Sequence, residues 1–289
     1  MGNITTAFVK QFSSNIELLS QQKGSKLRNA VRVKPGIVGE DAYIDQIDTS
    51  TAKKKTTRNS DIVYSNSDYQ RRKLSMVTIY DAKLIDKEDK LKMLADPTSE
   101  EALSIAYALG RAIDDEIITS AFGTAYTGKA GGTSTTFPAG NVVPVAASGL
   151  TLDKILQAKK ILDNNNVDEN EERYIAITGT QLQDLLKVDE INSADYNNIK
   201  ALVQGDVDTF CGFKFIRVST SLLDTDDDDY RRVIAWAKNG LGLGIARDMT
   251  NRIDEIPGKH YSTQVYAAMD IGCSRIDEDK VVEIKCSEA

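Results

Sequence analysis

The sequence is poor in the side chains from which most enzyme sites are built. Histidine occurs once, as His260, and cysteine three times, as Cys211, Cys273 and Cys286. With no second histidine and no CxxC pair, a zinc site or a cysteine–histidine nucleophile has little material. A serine triad would have to use His260, and no nucleophile-elbow sequence accompanies it. Three widely spaced cysteines point to reduced, buried thiols rather than a disulfide frame. No apolar run approaches membrane-spanning length, so no membrane partner is expected. The N-terminus lacks signal-peptide architecture, because polar and basic residues interrupt it throughout. Met1 to Thr6 (MGNITT) fits the myristoylation pattern, but that pattern is loose and is not taken to indicate lipidation.

Two further stretches look like chemistry and fall short of it. Gly123 to Ala130 (GTAYTGKA) comes within one residue of a phosphate-binding loop. Ala130 stands where a Ser or Thr hydroxyl would hold magnesium, and the stretch follows a helical pattern rather than a strand. Asp224 to Asp229 (DTDDDD) lacks the glycine and the terminal glutamate of an EF-hand and reads as a solvated acidic turn. No catalytic, cofactor-binding or metal residues are assigned, and no cofactor is expected.

Charge is present in quantity but unevenly. The net charge is −7 over 289 residues. Residues 1–75 hold thirteen Lys and Arg against seven Asp and Glu, whereas the remainder holds 23 against 36. A basic N-terminal quarter precedes an acidic body. Two functional readings fit: the basic segment lies on an acidic surface of a neighbouring copy, or it faces nucleic acid.

The longest helical pattern runs from Asp96 to Phe122. Asp96 or Thr98 caps it, Pro97 suits its first turn, and Thr98 with Glu101 fits a capping box. Ala102, Ala106, Gly110, Ile113 and Ile117 form a stripe, with Leu103 and Leu109 beside it. Gly123 is placed to end it in a left-handed conformation. Roughly 24 residues would span about 36 Å. Asp114, Asp115 and Glu116 point in different directions around the helix, so they cannot form a facing pair by themselves; they read as surface or inter-subunit charges.

Before this helix, residues 4 to 22 read as an amphipathic helix with Phe8, Phe12, Ile16 and Leu19 on one face, followed by an extended basic arm to Gly39. Residues 40 to 81 read as a long hairpin. Its strands are Ala42 to Ile47 and Leu74 to Tyr80, and the polar stretch between them cannot anchor itself in a core. Asp86 to Leu94 is a short charged helix. After it, Gly123 to Gly149 is a Gly-, Thr- and Ser-rich loop. Helices at Leu152 to Leu162 and Thr180 to Val188 then alternate with strands at Tyr174 to Thr178, within Gly205 to Val218, and at Val233 to Lys238, which indicates an α/β subdomain. Strands at Tyr261 to Ile271 and Val281 to Ile284 follow, with Leu74 to Tyr80 as the expected sheet partner.

Three stretches carry a resemblance: FVKQFSSNIELLSQQKGSKLR, LADPTSEEALSIAYALGRAIDDEIITSAFGTAYTG and FCGFKFIRVSTSLL. They resemble major capsid proteins of tailed bacteriophages, in particular short-tailed ones. The resemblance implies an α+β fold of the Hong Kong 97 type. In it, 1–39 is the N-terminal arm, 40–81 the extended E-loop, 82–147 with 249–289 the peripheral domain (spine helix about 97–122), and 148–248 the axial domain. It implies self-assembly into pentamers and hexamers of an icosahedral shell around double-stranded DNA bound without sequence specificity. The implied location is the virion capsid, assembled in the host bacterial cytoplasm with a portal. The E-loop begins near residue 40, which favours a separate scaffolding protein over a built-in one. Lys53, Lys54 and Lys55 offer amines for a lysine–asparagine cross-link, but no acceptor asparagine or catalytic glutamate is matched, and that chemistry is not carried over. The expected assembly interface comprises Phe8, Phe12, Lys53, Lys54, Lys55, Arg58, Arg71 and Arg72. A nanocompartment shell of the same fold and an α/β enzyme of unidentified reaction are the alternative readings.

Overall fold

The computed structural model describes residues 21–47, 49–59, 61–87, 98–187 and 209–288. The helix expected at 4–22 lies outside these residues except for Gln21 and Gln22, which are not helical. The helix expected at Asp86 to Leu94 lies almost wholly outside them, as do Asp96 and Pro97.

In chain order the strands are β1 (Arg32–Pro35), β2 (Asp41–Ile47), β3 (Tyr69–Ser75), β4 (Val77–Ile85), β5 (Ala125–Thr127), β6 (Thr133–Thr135), β7 (Val142–Val143), β8 (Arg173–Ile177), β9 (Thr209–Phe210), β10 (Phe213–Arg217), β11 (Arg231–Ala237), β12 (Leu241–Ile256), β13 (Ser262–Arg275) and β14 (Val281–Cys286). The helices are α1 (Thr98–Phe122), α2 (Leu152–Asn164) and α3 (Gly179–Lys187). The strands form three sheets, ordered β1-β12-β13-β4, β7-β14-β11-β8-β10-β9 and β2-β3-β5-β6. This is the α+β class that the sequence suggests.

The described residues fall into two compact units. The larger contains Lys26–Val77, Ile113–Ala246 and, from Ile271, the C-terminal residues; the smaller contains 21–25, 78–87, 98–112 and 247–270. α1, β4, β12 and β13 each continue from one unit into the other.

The six-stranded sheet is the core of the larger unit. Strand β8 is buried at every position, and β11 from Val233 to Ala237. Strands buried on both faces read as unbroken apolar runs, which is how YIAI and VIAWA appear in the sequence. One face packs on Ile155, Ala158 and Leu162 of α2 and Leu185 of α3. On the other, Trp236 is fully buried, stacks on Tyr174 with ring centroids 5.9 Å apart, and donates from Nε1 to the Ala30 carbonyl at 2.9 Å. Helix α2 starts where Thr151 accepts the Lys154 N–H through its side chain, the expected cap. β9 and β10 are joined by Cys211 and Gly212, at φ 53° and 85°. A two-residue turn with both φ values positive matches the twist of an antiparallel pair.

The C-terminal strand corrects one expectation. Val281 to Ile284 was expected beside Leu74 to Tyr80, yet β14 pairs antiparallel with β11, Val233 opposite Ile284. Every residue of β14 except Lys285 is buried, so the six-stranded sheet gives it apolar cover on both faces. The stretch Leu74 to Tyr80 is not one strand either. It breaks at Met76, whose N–H bonds to the Glu40 carbonyl at 2.9 Å, and the halves belong to different sheets.

Helix α1 keeps the expected length but shifts its buried face. Gly110, Ile113 and Ile117 are buried as expected, together with Ile105, Leu109, Ile118 and Ala121, while Leu103 is exposed. Gly110 meets backbone rather than a sheet. A Cβ added there would stand 2.5 Å from Gly24 Cα and 2.8 Å from Ser25 N. At its start, Glu101 accepts from Lys83. At the other end Gly123 is not left-handed; its N–H simply continues the helical ladder to Thr119 O at 2.9 Å. In the larger unit, the Ser120 hydroxyl donates to the Cys273 carbonyl at 3.1 Å, which ties the last turn of α1 to β13.

In the smaller unit, Tyr80 and Tyr266 sit with ring centroids 6.2 Å apart, and Lys87 lies over the Tyr261 ring. Residues 247–255 of β12 are exposed at every position, on both faces of the strand.

Candidate assembly surface

The hairpin expected at 40–81 projects from the larger unit, and its footing is a regular ladder. β2 and β3 pair antiparallel from Asp41 opposite Ser75 to Ile47 opposite Tyr69. The period of two puts Ala42, Ile44 and Leu74 inward, where they pack with Ile37 and Ile276. The polar partners face outward. Lys73 Nζ lies 2.8 Å from Asp41 Oδ2, and Arg71 Nε donates to Asp45 Oδ1 at 2.6 Å. The hydrogen bond from Lys73 holds the Asp41 carboxyl below its usual range and raises the Lys73 ammonium above its own.

Beyond Ile47 and Tyr69 the ladder stops. The described residues of 49–68 are all exposed and form no strand. Lys53 bridges the two arms by donating to the carbonyls of Tyr64 at 3.2 Å and Val63 at 3.5 Å. This is the long structureless stretch that compact domains seldom keep without a use.

The structure divides the expected interface residues into three groups. Lys53, Lys54, Lys55 and Arg58 are together on the exposed arms. Arg71 is half-exposed at the footing and paired with Asp45. Arg72, three positions from the ladder's outer end, turns inward: it is 5% exposed and bonds Glu278 of its own chain. Its charge is therefore used within the fold. Phe8 and Phe12 lie outside the described residues.

Sequence reasoning also passed over an apolar group. Ile62, Val63 and Tyr64 are 77%, 70% and 83% exposed, next to the basic cluster. Ile47 and Tyr69 are exposed at the root of the arms. The signal was present as the triplet IVY inside an otherwise polar stretch. It is too short to show a period, and so it carried no weight.

Other stretches that looked like chemistry resolve into structure. Ala125–Thr127, in the middle of the near phosphate-binding loop, is strand β5, paired with β6. Gly128 follows at φ 96°, its N–H donating to Arg71 O at 3.2 Å. A strand presents its N–H groups to its neighbours, not to a phosphate. His260 sits in an exposed turn at φ 51°. Among the described residues no three His, Cys, Asp or Glu side chains come together as a metal site would need.

The acidic cluster on α1 also changes meaning. Asp114, expected on the surface, is fully buried, and its carboxylate accepts the backbone N–H groups of Lys26 and Leu27 at 3.0–3.1 Å. It satisfies two backbone donors immediately before the helical turn Arg28–Ala30, the second at its N-cap residue Leu27. Arg275 does the complementary work at the C-terminus of α1, donating to Ala121 O at 2.8 Å and Gly123 O at 2.9 Å.

A cluster of paired charges lies at one end of the six-stranded sheet. Glu172 accepts from Lys214, from Lys238 at 3.0 Å and from the Tyr174 hydroxyl at 2.9 Å. These bonds, Lys214 first, lower its carboxyl to about 2. Burial, with Glu172 beside it, pushes the Tyr174 hydroxyl up to about 12. Burial likewise raises the Cys273 and Cys286 thiols to about 12, far from nucleophilic readiness at neutral pH.

Comparison with known proteins matches residues 4–288 to the family described as phage capsid protein. Among solved structures, the capsid of cyanophage P-SCSP1u superposes with a TM-score of 0.74 at 16% identity, covering 99% of this chain and 94% of that one. The head structure of Helicobacter pylori bacteriophage KHP40 gives 0.75 at 12% identity, covering 99% and 98%. Mycobacterium phage Che8 gives 0.67 at 16% identity, covering 96% and 97%. No curated protein matches the chain. At these identities the structural likenesses establish the fold.

Proposed function

The chain belongs to the phage capsid protein family, as a structural subunit of a virion shell with the Hong Kong 97-type fold rather than an enzyme, and on that premise we propose that it assembles as pentamers and hexamers of an icosahedral shell around double-stranded DNA. The observation that carries this is the projecting hairpin. Its arms hold four cations and an apolar triplet with no cover from the described residues of their own chain. Exposed apolar groups beside charge mark a contact surface, and in a shell the cover comes from a second copy. The basic arms meet an acidic body, so the contact has an electrostatic part.

In this reading 1–39 is the arm, 40–81 the E-loop, 82–147 with 249–289 the peripheral domain, and 148–248 the axial domain. Strand β14 completes the sheet of the axial part although it comes from the C-terminal segment. Phe8, Phe12, Lys53, Lys54, Lys55, Arg58 and Arg71 serve the interface, joined by Ile62, Val63 and Tyr64. Arg72 serves it indirectly, through the footing. Assembly takes place in the host bacterial cytoplasm with a separate scaffolding protein and a portal.

Negative-stain imaging of the expressed protein, alone and with the products of neighbouring genes, tests the reading. Closed shells of uniform diameter that protect DNA from nuclease support it. A protein that remains a small oligomer under every combination overturns it.

A further inference from the structure

The hairpin is tied to the end of helix α1 by a chain of charges in which two buried arginines flank a part-buried glutamate. Arg72 leaves β3 toward the interior and donates from Nη2 to Glu278 Oε2. The other oxygen of Glu278 stands 3.7 Å from Arg275 Nε. Arg275 is fully buried and anchored three times by backbone carbonyls, at Ala121, Gly123 and Thr135, with Phe137 beneath its guanidinium at 5.2 Å. Glu278 is itself held by its backbone, because Asn141 Nδ2 donates to its carbonyl at 2.7 Å. Away from this chain, β3 is held beyond β2 by a single registered pair with β5, Arg72 opposite Thr127, by the Gly128 N–H bond to Arg71 O, and by the packing of Leu74.

The charges are not balanced. Two buried guanidinium groups share one part-buried carboxylate, and like charges taken out of water repel more strongly than at the surface. Arg275 has three carbonyl partners, whereas Arg72 has Glu278, its Nε and Nη1 finding no partner among the described residues. If the carboxylate charge is removed, the side that yields is therefore the hairpin and not the helix end.

We propose that Glu278 is a positioning residue that locks the footing of the projecting hairpin to the C-terminus of α1, and so sets the direction in which residues 49–68 reach toward a second copy. The proposal rests on the reading of that hairpin as an inter-subunit element. The lock itself is a property of the single chain.

Hydrogen–deuterium exchange of the unassembled full-length subunit, paired with imaging of shell yield, tests this with E278Q, R72M and the double variant. Both single variants are expected to speed exchange in 41–47 and 69–75 by about tenfold or more while β8 and β11 keep their protection. Shell yield falls in parallel. R72M leaves Arg275 paired with Glu278, so it decides the matter if E278Q does not fold. The double variant exchanges no faster than either single if the two residues act as one lock. Unchanged exchange at the footing, equal acceleration in β8 and β11, or multiplying effects in the double variant would each overturn the proposal. If the unmodified protein forms no shells, the assembly reading fails while the exchange data still judge the lock.

Discussion

The six-stranded sheet and the projecting hairpin, which is β structure only at its footing, solve opposite problems. In the sheet, Ile175, Ala176 and Ile177 are completely buried. In the hairpin, every described residue of 49–68 is exposed. The sheet is stabilised within one chain, by apolar cover on both faces. The hairpin carries apolar groups that gain nothing until another surface meets them, each worth roughly 1.5–3 kcal/mol on full burial. Changes in the sheet should therefore be read out as folding, and changes in the hairpin as assembly.

That contrast can be broken in graded steps. The largest effect is expected from Trp236→Ala, which empties a fully buried site and strands the Ala30 carbonyl. Chemical denaturation of the unassembled subunit should show a loss of about 3–5 kcal/mol. Gly110→Leu comes next. Its side chain would enter the backbone of Gly24 and Ser25, and a loss of about 1–3 kcal/mol or more is expected in the same measurement. Wild-type stability in that variant would mean that the segment does not cross the helix there. Asp114→Ala orphans the Lys26 and Leu27 N–H groups and should cost about 1–3 kcal/mol, with Asp114→Asn, which keeps one acceptor oxygen, in between.

A smaller effect is expected from acid. The Glu172 carboxyl lies near 2 when folded, against an ordinary value of 4.5. A lowered carboxyl contributes stability that is complete above the unfolded value and is lost as the pH falls toward the folded one. Thermal stability should therefore decline between about pH 4.5 and 2, and Glu172→Gln should flatten that slope. The smallest effect on folding belongs to the hairpin. Replacing Lys53, Lys54, Lys55 and Arg58 together with alanine should move subunit stability by less than about 0.5 kcal/mol. Shell yield by light scattering should nonetheless drop, and its dependence on ionic strength should weaken. A variant that assembles with unchanged salt dependence would remove the electrostatic part of the interface.

Much of this was legible in the chain. The apolar runs YIAI and VIAWA marked buried strands, the pattern from Ala102 to Ile117 marked the long helix, and the polar stretch from Ser50 to Ser60 marked a projection without a core. Each is a local signal, because period and composition act over a few neighbouring residues. Signals failed where a distant partner decided the outcome. Asp114 looked like a surface charge because nothing nearby shows that the backbone at Lys26 and Leu27 would come to it. Arg72 looked like Arg71, its neighbour, although alternation along β3 turns one outward and the other toward Glu278. Leu103 sits beside the apolar stripe and remains exposed.

The sequence by itself determined the periodicities, the placement of charge in a basic quarter and an acidic body, and the shortage of catalytic material. Those follow from residue type and spacing alone. Only the tertiary structure decided that β14 joins the six-stranded sheet, that Gly110 makes room for a crossing backbone, and that Arg72, Glu278 and Arg275 meet. The pairing of β14 with β11, of Gly110 with Gly24 and of Arg72 with Glu278 brings together residues between 45 and more than 200 positions apart in the chain, and their energies depend on burial and distance, which exist only once the chain has folded.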